Sequence, residues 1–200
     1  MLALFNSINS AVCGALGINT YLQGVIIMVC INTIAVLGMS VLTGFTRLFS
    51  FGNAGFMSIG AYTAAILTVK FNVNFLLAII LGALFAGFIA FLLGSITLRL
   101  KGDYFLITCL GFGECVRVLF NYTKNITGGS AGYPGIPAYS NALFSLVCVV
   151  LAFFAAWRFI HSKYGRNLTS IRENEMAAEA VGINAFRVKR MSFVFSAIYA

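Results

Sequence analysis

The sequence predicts an all-α protein, a polytopic bundle of transmembrane helices. Of its 200 residues, 60% are hydrophobic and only 9% are charged, whereas soluble domains carry roughly 25% charged residues. The mean hydropathy of +0.97 excludes a soluble domain and a disordered chain, and it argues against a secreted disulfide scaffold. Apolar runs also recur at the length of about 20 residues that a helix needs to cross a bilayer.

The spans follow from these runs, which lie at residues 22–45, 48–69, 74–98, 104–122 and 138–157. A further run opens at Met191 and stops with the sequence at Ala200. Residues 1–18 are apolar but interrupted by Asn6 and Asn9. They allow three interpretations: another span, a short helix leading into the membrane, or an interfacial segment. We therefore expect five or six complete spans and one incomplete span.

The charge distribution predicts the orientation. The chain has 13 basic and five acidic residues, a net charge of +8. In membrane proteins, basic residues collect in cytoplasmic loops, so this excess does not indicate a nucleic-acid partner. If successive loops alternate between the two sides of the membrane, Lys70 and Lys124 lie outside, Arg117 lies in a span, and the other ten basic residues lie inside. The ten are Arg47, Arg99, Lys101, Arg158, Lys163, Arg166, Arg172, Arg187, Lys189 and Arg190. Residues 158–190 are then cytoplasmic, and residues 122–137 are external.

Small residues recur at every fourth position in two spans. Ala86, Ala90 and Gly94 form one such row, and Gly60 with Ala64 forms another. Because packing replaces the hydrophobic driving force between helices in lipid, such rows allow close approach of two backbones. They predict a tightly packed bundle.

The glycine-rich stretch at residues 44–62 is the first candidate for the translocation pathway. It contains Ser50, Gly52, Gly60 and Tyr62, and glycine at this density weakens a helix. Two interpretations stay open. The stretch is either a break that lines a protein-enclosed cavity, where irregular backbone is tolerated, or a tight helix crossing with no role in the pathway.

Glu114 and Arg117 are the second pathway candidate, because they are charged residues within a predicted span. They lie three residues apart and so share one helix face. A charge in a span is costly and normally faces a partner, the bundle interior or water. The pair either lines or gates a pathway or is a self-neutralising structural pair near the membrane edge, and the sequence favours the second reading.

The predicted cytoplasmic loop contains a candidate docking helix at residues 171–181. Ser170 and Glu173 match a capping box, and Gly182 is a typical helix stop. Ile171, Ala178 and Val181 would share one face, leaving Arg172, Glu173, Glu175 and Glu179 on the polar side, with a nearly flat surface at Ala177, Ala178 and Ala180. Such a helix can lie in the groove of a soluble partner or on lipid. Its three acidic residues argue for a protein partner.

Several stretches together resemble the permease subunits of bacterial branched-chain amino-acid ABC transporters, the Liv-type importers. They cover residues 22–200 in the family's order. They are Ser50-Phe-Gly52, Gly60-Ala-Tyr62, Leu98-Arg-Leu-Lys-Gly-Asp-Tyr104, Phe112-Gly-Glu114 with Arg117, Thr127-Gly-Gly129, Gly165-Arg166, and residues 171–184 followed by Arg187-Val-Lys189.

The resemblance implies a single transmembrane permease domain in the bacterial inner membrane, with residues 158–190 as its coupling loop and residues 175–184 as the coupling helix on a cytoplasmic ATPase. It also implies a second permease, two ATPase subunits and a periplasmic binding protein that delivers leucine, isoleucine or valine. The chain itself would be no enzyme and would bind no cofactor, because ATP and Mg²⁺ belong to the ATPase. Family members continue for several more spans, so the chain is expected to be incomplete at its C-terminus.

Three other functions remain as alternatives. A permease of the same class could carry urea, short amides or other amino acids. An ion-coupled secondary transporter would need acids at the membrane midplane, for which only Glu114 qualifies. A membrane enzyme has little support, because His161 has no carboxylate nearby in sequence and the five cysteines show no metal-ligand spacing. We interpret these cysteines as small buried hydrophobic residues.

Overall fold

The structure, a computed structural model, describes residues 19–46, 48–100, 103–129, 132–133, 135 and 141–200. The helices in these ranges are α1 (Thr20–Thr46), α2 (Asn53–Phe71), α3 (Phe75–Thr97), α4 (Asp103–Tyr122), α5 (Lys124–Thr127), α6 (Ala142–Ile160), α7 (Lys163–Glu173), α8 (Glu175–Ala180) and α9 (Ala185–Tyr199). Five of them, α1, α2, α3, α4 and α6, are long and apolar enough to cross a membrane. The all-α prediction is confirmed. Residues 1–18 and Arg47 lie outside the described residues.

The helix bounds correct three of the predicted spans. α2 begins at Asn53 instead of residue 48, and α6 runs to Ile160. α9 begins at Ala185, six residues before Met191, because the side chain of Asn184 caps it: Asn184 Oδ1 accepts a hydrogen bond from the Arg187 amide at 3.0 Å. Hydropathy alone misses such a start, because the first turns of α9 carry basic side chains.

Close backbone approach joins α2 to α3, as the small-residue rows predict. A Cβ on Gly82 would lie 2.8 Å from the Gly60 carbonyl oxygen and 3.4 Å from Ala64 Cβ. Ala86 and Ala90 are buried on the same side of α3. The prediction of tight packing is therefore confirmed for this pair of helices.

The last helix, α9, lies between α1 and α3 although it is far from both in sequence. It packs on each of them and touches α2. Its aromatic Phe193 is buried and makes an edge contact with Phe56 of α2, with ring centroids 5.5 Å apart. The resulting core consists of Leu42, Phe56, Ala90, Phe105, Cys109, Phe193 and Ala197.

A second core, which we call the end module, covers one end of the bundle. It joins α7, α8 and the start of α9 through Leu168, Ile171, Ala178, Ala185 and Val188. Phe45 at the end of α1 and Phe159 at the end of α6 pack against it. The described basic residues of the predicted inner side lie at this end. Lys70 lies in the last turn of α2 and Lys124 begins α5 just after α4, so both lie at the end of the bundle that points away from it. The helix order thus agrees with the alternation of loops expected from charge.

The close contact at Gly82 generates a test of the packing. We expect Gly82→Ala to lower the stability by about 1–3 kcal/mol, because the added methyl group meets the backbone of α2. Gly24→Ala is the matched control, since a Cβ there meets nothing within 4 Å and gains the same helix propensity. The measurement is the melting temperature of the detergent-solubilised protein. Equal melting temperatures for the two variants would contradict this account of the α2–α3 contact.

Candidate functional site

The candidate docking segment is two helices instead of the single predicted helix at residues 171–181. α7 ends at Glu173 and α8 begins at Glu175, with Asn174 extended between them at φ −153° and ψ 109°. Asn174 Oδ1 accepts a hydrogen bond from the Ala177 amide at 3.1 Å and thereby caps α8. The predicted capping box at Ser170 is wrong. That residue lies inside α7, where its hydroxyl donates to the Arg166 carbonyl at 3.3 Å.

The end of α8 lies where the sequence predicts it. Gly182 has φ +90°, a conformation that side chains with a Cβ rarely adopt. Its amide donates to the Glu179 carbonyl at 2.9 Å, and the Ile183 amide donates to the Ala178 carbonyl at 3.0 Å. These two bonds form a Schellman motif, which pairs carbonyl groups that the helix end would otherwise leave free.

One side of α8 is buried, and the rest is exposed. Ala178 packs with Ile171 in the end module. Val181, predicted on that same face, lies just beyond the last residue of α8 and is 83% exposed. Met176 is 84% exposed. The exposed α8 surface consists of Met176, Ala177, Glu179, Ala180 and Val181.

Two polar contacts connect this segment to the spans. Lys189 Nζ on α9 lies 2.6 Å from Glu175 Oε1 on α8. Arg172 Nη1 on α7 donates to the Gly44 carbonyl in the last turn of α1 at 3.1 Å, where helix carbonyls lack intrahelical partners. Arg172 Nε also lies 3.9 Å from Glu173 Oε1. The sequence-based predictions did not include the ion pair of Lys189 or the helix cap of Asn174. An asparagine before the alanine-rich run was an available capping signal, but nothing in the sequence pairs Lys189 with Glu175.

The glycine-rich stretch is broken at one position and closely packed at another. Residues 48–52 are not helical, and a Cβ on Gly52 would lie 3.1 Å from the Cys109 carbonyl oxygen of α4. Cys109 is about 9 Å along α4 from its first residue, so α2 starts well inside the bundle. Ser50 is buried there. Gly60, by contrast, lies in the α2–α3 contact. A role of this stretch in a translocation pathway stays a prediction.

Tyr62 faces α4, as the break does, but it lies about 15 Å further along α2 than Gly52. Its ring lies 4.4 Å from that of Phe120 on α4, centroid to centroid. Together they line an almost entirely apolar cavity of about 470 Å³ between α2, α3 and α4. Tyr62 therefore packs two spans together and does not lie beside Ser50.

Glu114 and Arg117 form the ion pair that their spacing predicts, with Arg117 Nη1 at 3.5 Å from Glu114 Oε2. Glu114 is the twelfth of the 20 residues of α4, about 16 Å along a helix of about 30 Å. The pair is thus centred in the helix instead of at its edge. Both side chains are exposed, by 61% for Glu114 and 72% for Arg117. Charges at this depth are costly in lipid, so this face of α4 requires water or protein beside it.

Two cavities run along this face of α4 and share Glu114. The outer cavity, of about 650 Å³, is lined by Glu114, Cys115, Val118, Leu119, Tyr122 and Thr123. The inner groove, of about 350 Å³, is lined by Phe51, Ala54, Gly55, Ser58, Leu110, Gly113, Glu114 and Arg117. The inner groove therefore extends from the ion pair to Phe51, beside the break between α1 and α2.

No cluster that could hold a metal ion occurs among the described residues. Of the four cysteines in that part of the chain, Cys109 is buried and Cys30 and Cys148 are half-buried. Cys115 is exposed and lines the outer cavity, so the interpretation of all cysteines as buried is wrong at this position.

A bundle with five membrane-length helices, an exposed short helix at one end and a charged groove at mid-depth defines a multi-pass membrane protein. Comparison with known proteins identifies the family. The chain belongs to the family described as branched-chain amino acid transport system / permease component, which matches residues 21–200. It is accordingly a multi-pass protein of the inner (plasma) membrane.

Two relatives carry the name high-affinity branched-chain amino acid transport system permease protein LivM. The protein from Salmonella typhimurium is 33% identical over 207 residues, covering 86% of this chain and 49% of the relative. The one from Escherichia coli is 33% identical over 198 residues, covering 82% and 47%. The chain thus spans about half the length of these relatives. No solved structure matches it significantly.

The exposure of Cys115 tests whether this face of α4 is in contact with water. In vesicles with the assembled transporter, we expect a variant that keeps only Cys115 to react with a membrane-impermeant methanethiosulfonate. Ionised groups beside Cys115 require solvent, and a thiolate in water reacts readily. A variant that keeps only the buried Cys109 is the control and should remain unlabelled. If Cys115 reacts only with a lipid-soluble maleimide, then this face is turned to lipid.

Proposed function

We propose that this chain is the membrane-spanning permease subunit of an ATP-driven ABC importer that translocates branched-chain amino acids delivered by a periplasmic binding protein. The family match over residues 21–200 is the observation that carries the proposal. The names of the Salmonella and Escherichia relatives support the substrate class. The charged groove on α4 is compatible with a solute that is polar at one end and aliphatic at the other.

In this proposal α8 is the coupling helix that docks on a cytoplasmic ATPase subunit. Its exposed surface combines the apolar side chains of Met176 and Val181 with Glu179. A short apolar helix face of this kind fits a groove in a partner protein. The neighbouring residues hold this helix in place. Arg172, which lies beside Glu173, binds the end of α1, and Glu175 contacts Lys189. The Ala177 amide is capped by Asn174, and Gly182 closes the other end of the helix.

The route from α8 to the bundle is short, which supports a mechanical role. Residues 181–184 connect α8 directly to α9, and the Lys189–Glu175 contact joins the same two helices. α9 in turn lies between α1 and α3. ATP-driven closure of the ATPase pair would displace α8 and, through α9, shift the spans between outward-facing and inward-facing arrangements, in the manner of small helix shifts at interfaces.

The partners in this proposal are a second permease subunit, two ATPase subunits and the binding protein. The chain would supply no catalytic group and bind no cofactor, because ATP and Mg²⁺ would be held by the ATPase. The decisive experiment reconstitutes the complete complex and measures which solute, loaded on the binding protein, stimulates ATP hydrolysis and uptake. Stimulation by leucine, isoleucine or valine supports the proposal. Stimulation by urea alone, or uptake driven by an ion gradient without ATP, would refute it.

The docking role of α8 generates a binding prediction. Met176→Asp should reduce co-purification of the ATPase to about a tenth, because it places a charge at the centre of an apolar contact. Since Met176 is exposed, the fold should not change. Tyr164→Asp, a substitution of another exposed residue in the same loop, is the control. If both variants retain the ATPase equally, α8 is not the docking site.

The end of α8 generates a coupling prediction. Gly182→Val should decrease uptake and the stimulation of ATP hydrolysis while the protein stays in the membrane, because a residue with a Cβ pays about 1–2 kcal/mol in this left-handed conformation. Gly182→Asn is the matched variant and should behave almost like the wild type, since asparagine tolerates the conformation. Normal uptake by Gly182→Val would show that the geometry of this helix end does not matter for transport.

A further inference from the structure

We infer that Glu114 and Arg117 hold the α-ammonium and the α-carboxylate of the amino acid during its passage through the membrane. This inference rests on the proposed function, because it takes an amino acid as the transported solute. It assigns a solute-contacting site to the face of α4 that the two cavities border. The carboxylate of Glu114 would bind the ammonium group, and the guanidinium of Arg117 would bind the carboxylate.

The position of the pair supports this assignment. Glu114 lies in the middle of a predicted span, and both side chains are more than half exposed. An ion pair that served only to neutralise itself would be expected to be buried against a neighbouring helix at this depth. Here the charged groups instead lie at the junction of two cavities, and Glu114 lines both of them.

The chemistry of the pair matches a zwitterion. Arg117 Nη1 and Glu114 Oε2 lie 3.5 Å apart, so the two charges satisfy each other. A zwitterion brings one positive and one negative group, so it can replace this single contact with two ion pairs without leaving a charge unpaired. The exchange is close to balanced, which suits a site that must also release its solute.

The groove beside the pair has room for the side chain. Its volume of about 350 Å³ is at the lower end of the range of small-molecule sites. The groove has room at Gly55, Ser58 and Gly113, because these residues have small side chains or none. Phe51 and Leu110 provide apolar surface next to Arg117. A branched aliphatic side chain would lie on that surface while its charged end stays at Glu114 and Arg117.

Double substitution separates this role from that of a structural ion pair. Glu114→Gln/Arg117→Gln removes both charges, so it leaves no unpaired charge in the membrane, and we expect the complex to assemble. Uptake of leucine should fall by about tenfold or more, the value of one or two charge-assisted hydrogen bonds. The charge exchange Glu114→Arg/Arg117→Glu preserves an ion pair but reverses the site, and uptake should stay low. Wild-type uptake in either variant would overturn the inference.

Protection of Cys115 tests the site without relying on those variants. In a complex that keeps Cys115 as its single cysteine and retains Glu114 and Arg117, millimolar leucine should slow methanethiosulfonate labelling of Cys115. Leucinamide, which lacks the carboxylate, and 4-methylpentanoate, which lacks the amine, should protect much less. Equal protection by all three, or none by leucine, would overturn the inference. Failure of the proposed function has a different signature: the wild-type complex would then show no ATP-dependent uptake of any branched-chain amino acid.

Discussion

The arrangement of the bundle depends on one close contact, that of α9 with the spans on either side of it. Between helices in lipid there is no hydrophobic driving force, so association relies on packing. Three glycines make room for α9. A Cβ on Gly38 would lie 2.5 Å from Tyr199 Cβ, one on Gly87 would lie 2.8 Å from Ile198, and one on Gly94 would lie 3.1 Å from Phe193. Because of these contacts, the helix that follows α8 lies inside the bundle instead of at its margin.

The position of α9 matters because the end module connects the start of α9 to α7 and α8. The core of this module links α7 and α8 to the ends of α1 and α6, while the break at Asn174 separates α8 from α7. α8 is therefore supported on its Ala178 side and exposed on the other, and residues 181–184 connect it onward to α9. In the proposed coupling role, a displacement at the exposed α8 surface would reach α9, and with it the middle of the bundle, through these four residues.

Glu114 and Arg117 differ from the hydroxyl side chains of the spans in how their polar atoms find partners. Many hydroxyl side chains in the described spans donate to a carbonyl one turn earlier in their own helix, as Thr33 does to Val29 at 2.7 Å. Such bonds satisfy the side chain locally and require no partner helix. Two ionised groups cannot be satisfied in this way, and their exposed face of α4 requires an environment that lipid does not provide. The cost of placing charge in lipid therefore restricts what can lie beside the inner groove, with its Glu114 and Arg117, to water or protein.

Composition and charge alone determined that the chain is a helical membrane protein, and they predicted five of its spans and the alternation of its loops. The cost of placing charges in lipid leaves few arrangements for a chain of this hydropathy. The i, i+3 pairing of Glu114 with Arg117 and the stop at Gly182 were also predictable, since both depend on local geometry. The helix starts after Asn174 and Asn184 also depend on local caps, although hydropathy does not reveal them. Tertiary structure decided the contact of Lys189 with Glu175 and the place of α9 between α1 and α3. These features depend on which surfaces meet, and the local sequence does not encode distances between residues far apart in the chain.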